Sequence, residues 1–153
     1  MAATNKWKKG RGKLGLLEPL LGNWHATADS PMGTVSCTRS FEKVLGGNYI
    51  KLTATWDFSG KTYEELAIFG SADGKIRFKS FTSDGKHSEG AIDDGSDVHP
   101  DAICFVAQMA AGTARMVYWP AENGGFNWVV ESKNKKGWNR FTEHHYTQIV
   151  SPI

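Results

Sequence analysis

The chain has 153 residues, 40% of them hydrophobic and 22% charged, with a formal net charge of +2. That length fits one domain, and the composition excludes wholesale disorder while leaving enough apolar surface for a packed core. No apolar run reaches the length of a membrane span, and Lys13 to Leu21, interrupted by Glu18 and Pro19, is too short for a signal peptide, so a cytoplasmic protein is expected.

Charge is unevenly placed. Lys6, Lys8, Lys9, Arg11 and Lys13 crowd the first stretch, and without them thirteen basic side chains face sixteen acidic ones. Residues 1–13 therefore read as a basic flexible arm and residues 14–153 as a single acidic domain. A body of opposite sign argues against nucleic acid as the main partner. The sharper reading of the arm is a tether to phosphate or anionic lipid, with Trp7 as its stacking or interfacial group.

Leu14 to Leu21 predicts a short helical turn carrying the apolar patch Leu16, Leu17, Leu20 and Leu21. Beyond Gly22 the hydrophobic period becomes two, which is the signature of strands. Ten strands are predicted, each bounded by turn residues: 23–28, 34–44, 49–58, 62–69, 75–82, 87–92, 102–109, 113–119, 126–132 and 138–149. The turns include Asp29-Ser30-Pro31-Met32-Gly33, Asp73-Gly74, Ala110-Ala111-Gly112 and Asn123-Gly124-Gly125. The third strand alternates most cleanly, with Ile50, Leu52, Ala54, Trp56 and Phe58 against Lys51, Thr53, Thr55 and Asp57. Residues 93–101 carry Asp93, Asp94 and Asp97 and read as a solvated loop. Ten strands with short links predict an all-β, antiparallel, up-and-down barrel, because an open sheet of that size leaves two long exposed edges.

Laid out this way, the chain resembles the calycin group, which comprises lipocalins, fatty-acid-binding proteins and related small barrels. In that group a Gly-x-Trp begins the first strand, and a basic residue from the last strand packs over the indole. Gly22-Asn23-Trp24 is similar to the first element, and the resemblance gives the second role to Arg140, in Gly137-Trp138-Asn139-Arg140-Phe141. Two further stretches resemble an uncharacterised bacterial family of small lipocalin-like proteins. These are the run through Leu17, Leu20, Leu21, Gly22 and Trp24 and the phrase Leu45-Gly46-Gly47-Asn48-Tyr49. The link 29–33 is too short for the helical lid of a fatty-acid-binding protein. The likeness is therefore to the barrel and names no ligand.

The candidate site residues follow from alternation. Trp56, Tyr63, Phe78, Phe105, Met116 and Trp128 are expected to line an interior cavity. Arg39 sits on the apolar phase of its strand between Cys37 and Phe41, where a guanidinium fork can accept a carboxylate or pair with a structural one. Arg115, beside Val117 and Trp119, reads the same way. Glu65 shares a face with Tyr63, and an outward, solvated Glu is the simpler reading. In Glu143-His144-His145-Tyr146 the two imidazoles point to opposite faces, and His144 shares its phase with the larger aromatic load. Cys37 and Cys104 form no metal or redox motif and read as buried free thiols, with a disulfide between them left open.

No nucleophile elbow, phosphate loop or zinc-protease motif is present, so no enzyme is expected. The first reading is a carrier or sensor of a small apolar molecule, with Arg39 and His144 fixing a polar end and no cofactor. The second is a haem-binding barrel with His144 or His145 as ligand, as in barrels resembling nitrobindin. The third is a structural barrel filled by its own aromatic side chains.

Overall fold

A computed structural model of the protein describes residues 7–30, 33–109, 111–122 and 124–149, apart from the side chain of Ser30. Lys6 of the basic arm and the expected turn residues Pro31, Met32, Ala110 and Asn123 lie outside the described residues.

After a 3-10 helix at Gly15–Leu20, ten strands follow in order: β1 (Gly22–Ser30), β2 (Gly33–Val44), β3 (Tyr49–Phe58), β4 (Lys61–Ala72), β5 (Lys75–Thr82), β6 (His87–Asp93), β7 (Ile103–Met109), β8 (Gly112–Pro120), β9 (Phe126–Asn134) and β10 (Gly137–Gln148). Each strand pairs with the next antiparallel, and β1 meets β10 to close the barrel. The all-β, ten-stranded, up-and-down architecture is thus the one the alternation predicts, and boundaries move by at most a few residues.

The 3-10 helix plugs one end. Leu17 and Leu20 are fully buried, and the Trp24 indole donates from Nε1 to the Leu20 carbonyl at 2.8 Å. The plug and the first strand are thereby fastened at one indole, whose ring packs edge-on against Phe126 with centroids 4.7 Å apart. Trp7 also packs edge-on against Phe126, at 6.3 Å. The arm is therefore pinned to the plugged end at Trp7, while Lys8, Lys9, Arg11 and Lys13 are exposed.

Inward side chains fill the barrel unevenly. Toward the plugged end Phe41, Phe69, Phe78, Phe105 and Tyr118 form one aromatic cluster, with Phe69 5.0 Å from Phe105 and 5.6 Å from Phe78. Phe78 and Phe105, expected to line an interior cavity, pack into this core, and Phe78 also borders a pocket of about 610 Å³ on the outer wall beside Gly70 and Gly90. Met116 is half-buried against the same core.

A second, smaller core lies outside the barrel. The segment 94–102 folds back over β7, β8 and β9 and buries Cys104, Val117 and Val129, with Val98, Ala102, Val106 and Trp119 around them. Gly95 permits this approach: a Cβ there would come within 2.8 Å of the Cys104 Cβ. The loop read as solvated is therefore a cover. Asp97 fastens it with a fork to Arg115, at 3.0 Å to Nη1 and 2.7 Å to Nη2. Arg115 also donates from Nε to Glu131 at 2.8 Å, and its guanidinium lies over the Trp138 ring.

Arg140 does not pack over Trp24. It donates from Nε to Glu131 at 3.0 Å and lies over Trp119, on the outer wall. Trp24 pairs with Gln148 at the far end of β10, roughly 25 Å along the strand at the usual rise per residue. A bulge sets Arg140 and His144 on opposite walls although four residues apart on one strand. The register of β10 on β9 shifts between Arg140 and Thr142, so Phe141 is the extra residue. Trp138 and Arg140 point outward before it, and Thr142, His144 and Tyr146 point inward after it.

Candidate functional site

Arg39 stands inside the barrel, midway along β2, and is 0% exposed. Its strand places it there by simple alternation, between Cys37 and Phe41 on the buried phase. Aromatic rings surround its guanidinium carbon: Trp128 at 4.5 Å, Tyr118 at 5.6 Å, and Trp56 and Tyr146 each at 5.9 Å. These faces supply cation–π attraction but few hydrogen-bond acceptors.

Arg39 Nη2 donates to the Tyr118 hydroxyl at 2.8 Å. Among the described residues its Nε and Nη1 make no well-formed hydrogen bond, and neither does the buried Nε1 of Trp128, although the Tyr146 and Tyr118 hydroxyls lie close to them. Among the described residues no carboxylate lies within ion-pair distance of Arg39. Glu65 points inward, contrary to the simpler sequence reading, but its carboxylate accepts from the Ser80 hydroxyl. Burial works against the charge on Arg39, while Tyr118, Tyr146 and Glu65 outweigh it, so its pKa moves up from an already high value. The interior therefore holds a permanent cation whose donors face tyrosine hydroxyls but, among the described residues, no carboxylate.

A recess of about 380 Å³ adjoins this arginine, lined by Trp56, Phe58, Lys61, Tyr63, Trp128 and Thr142. Trp56 and Trp128 are shared: each lines the recess and each flanks Arg39. Tyr63 packs on Trp56 with centroids 5.4 Å apart. The recess lies toward the end of the barrel opposite the plug, where β3 turns into β4. Of the sequence-predicted residues, the structure thus brings together Arg39, Trp56, Tyr63 and Trp128. Phe58, Lys61, Thr142 and Tyr118 join them. Phe58 was legible as the last inward residue of β3, and Thr142 from its shared phase with His144 and Tyr146; the bulge takes only Trp138 and Arg140 off that face.

His144 also faces inward, beside this group. Its ring lies 5.1 Å from Trp128, and its Nδ1 shares a 3.1 Å hydrogen bond with the Tyr146 hydroxyl. Burial, reinforced by Arg39, lowers its pKa to about 4, so the imidazole is neutral at pH 7. Neutrality suits haem ligation, but the surroundings do not fit a haem. Trp128 and Tyr146 pack on the ring, a cation sits close by, and His144 does not line the recess. His145 points outward toward the Gly124 carbonyl at 3.2 Å.

Both thiols are free and buried, Cys37 inside the barrel and Cys104 beneath the outer cover. Burial pushes each up to about 11. Their opposite placement excludes a bridge between them in this fold.

Among the described residues no helix is long and apolar enough to cross a membrane. No protein-family model matches the chain, and no curated protein matches it significantly.

Proposed function

We propose that the barrel binds a small, largely apolar molecule bearing an anionic group. The group sits against Arg39 and the apolar body occupies the recess between Trp56 and Trp128. The observation that carries this is the fully buried guanidinium whose Nε and Nη1, like the neighbouring Trp128 Nε1, make no well-formed hydrogen bond among the described residues. An unmet buried donor costs about 1–3 kcal/mol, and a charged one more, so such a set persists where something supplies acceptors. A carboxylate matches the fork of Arg39 in geometry and in charge. Apolar burial along the recess supplies affinity, and the buried donors supply orientation. In this reading the protein is a carrier or sensor, and no bond is made or broken.

The calycin resemblance accords with this, since small closed barrels of that group enclose ligands, but Arg39 and not the likeness supports the reading. The self-filled reading describes the plugged half of the interior, where the phenylalanine cluster leaves no room. It does not account for the donors left without well-formed hydrogen bonds beyond that cluster.

Native mass spectrometry of gently purified protein, set against the denatured mass, tests the reading. A discrete added mass lost on denaturation, and absent from Arg39→Met, is the expected result. With 8-anilinonaphthalene-1-sulfonate as an apolar anionic probe, saturable fluorescence in the native protein should vanish in Arg39→Met. Equal probe binding by both proteins would sink the assignment of Arg39.

A further inference from the structure

The barrel is closed by much less pairing between β1 and β10 than between any other neighbours. Among the described residues two pairs join them, Trp24 with Gln148 and His25 with Thr147, and the Ile149 amide donates to the Asn23 carbonyl at 2.8 Å just beyond. The next shortest ladders, on either side of β6, have five. Beyond His25, β1 runs on through Ala26, Thr27 and Ala28 to Ser30, and β10 runs from Gly137 to Tyr146, with neither pairing to the other. On its other side β1 is held along its whole length by β2, and β10 is held by β9 from Gly137 to Tyr146 apart from the bulged Phe141. The bulge at Phe141 twists β10 locally, and the extra residue is 60% exposed on this free margin.

This seam borders the proposed site. Thr142, on the unpaired stretch of β10, lines the recess, and His144 and Tyr146 on the same stretch stand beside Arg39. The inward residues of β1 along the seam are the small Ala26 and Ala28. Arg39 is 0% exposed, so nothing reaches its guanidinium without some part of the wall moving. Segments with few backbone hydrogen bonds open first.

We infer that the wall parts between β1 and β10, and that this seam is the route by which a molecule reaches Arg39. The inference takes the interior as the binding site proposed above, and its test reads access alone. Cys37 pairs with Ala26 across β1 and β2 and reports on the interior. Cys104, beneath the outer cover, is a second thiol that the seam does not guard. Continuing the register of the seam sets Thr27 opposite His145, both exposed.

The experiment measures maleimide labelling of Cys37 and Cys104 separately, by peptide mass, in the native protein and in Thr27→Cys with His145→Cys after oxidation. A disulfide between the new cysteines should slow Cys37 at least tenfold and leave Cys104 unchanged, and reducing it should restore the native rate. An unchanged Cys37 rate with the bridge in place would show access past the indoles of the recess and overturn the proposal. So would an equal fall at both thiols, which marks labelling through global unfolding. If the bridge does not form, hydrogen exchange on the unmodified protein decides. Amides of residues 26–29 and 143–145 that face the seam should exchange at least a hundredfold faster than those of 126–131. Equal protection would overturn the seam. Failure of the anionic probe to bind would remove the ligand reading and leave these access results as they stand.

Discussion

Arg39 reaches the Tyr118 hydroxyl with one nitrogen, at 2.8 Å, and among the described residues makes no well-formed hydrogen bond with the other two. An arginine buried for the fold alone is normally paired, as Arg115 is on the outer wall with Glu131 and Asp97. The two arginines are both on buried phases of their strands, yet only one is neutralised. That contrast is what motivates the ligand role proposed for Arg39.

Because Arg39 has no counter-ion, removing it should do the empty protein little harm. Arg39→Met is expected to change stability by no more than about 2 kcal/mol, since the lost Tyr118 bond and ring contacts offset the relief of burying a guanidinium without a carboxylate. Urea unfolding of ligand-stripped protein checks this. A loss above about 3 kcal/mol would mean that the guanidinium already has its partners in the native state.

Glu131 predicts the opposite. It is 5% exposed and takes hydrogen bonds from Arg115 and Arg140 at 2.8 and 3.0 Å. Glu131→Gln leaves Arg115 short of a charge in a buried place and should cost about 3 kcal/mol. The midpoint of urea unfolding should fall without a change in slope.

Asp97 tests the cover over Cys104. The fork from Arg115 holds its carboxyl below the usual carboxylate range. Its side chain is 58% exposed, so solvent screens the pair and Asp97→Asn should cost no more than about 1 kcal/mol. The local effect should be larger than the global one. Cys104 should label several-fold faster with maleimide, while Cys37 keeps its rate.

His144 makes stability depend on pH. Its folded pKa, about 4, lies below the unfolded value of 6.5. The unfolded chain therefore binds the proton first, and stability is full above pH 6.5 and declines as pH falls toward 4. The gap between about 4 and 6.5 corresponds to about 3 kcal/mol at most. His144→Gln should flatten the difference in unfolding free energy between pH 7 and pH 5. An equal pH dependence in both proteins would show that the imidazole is not held neutral by its surroundings.

Alternation in the amino-acid order was enough to place all ten strands, the plug and the inward position of Arg39. A strand with one buried face must repeat every two residues, and Ile50 to Phe58 or Val35 to Phe41 can repeat in no other phase. Three things were decided only by the folded chain. The bulge at Phe141 breaks the period within β10, so a face drawn straight from Trp138 to Tyr146 joins outward residues to inward ones and sends Arg140 to the wrong wall. The outer cover was half-legible, since Cys104 to Val106 and Val117 to Trp119 are apolar on both phases, as strands buried on both faces are. Nothing in the acidic segment 94–102 named it as the cover. The missing partner of Arg39 is the third. A sequence shows where a charge will be buried, but whether another charge meets it depends on which strands the barrel sets side by side.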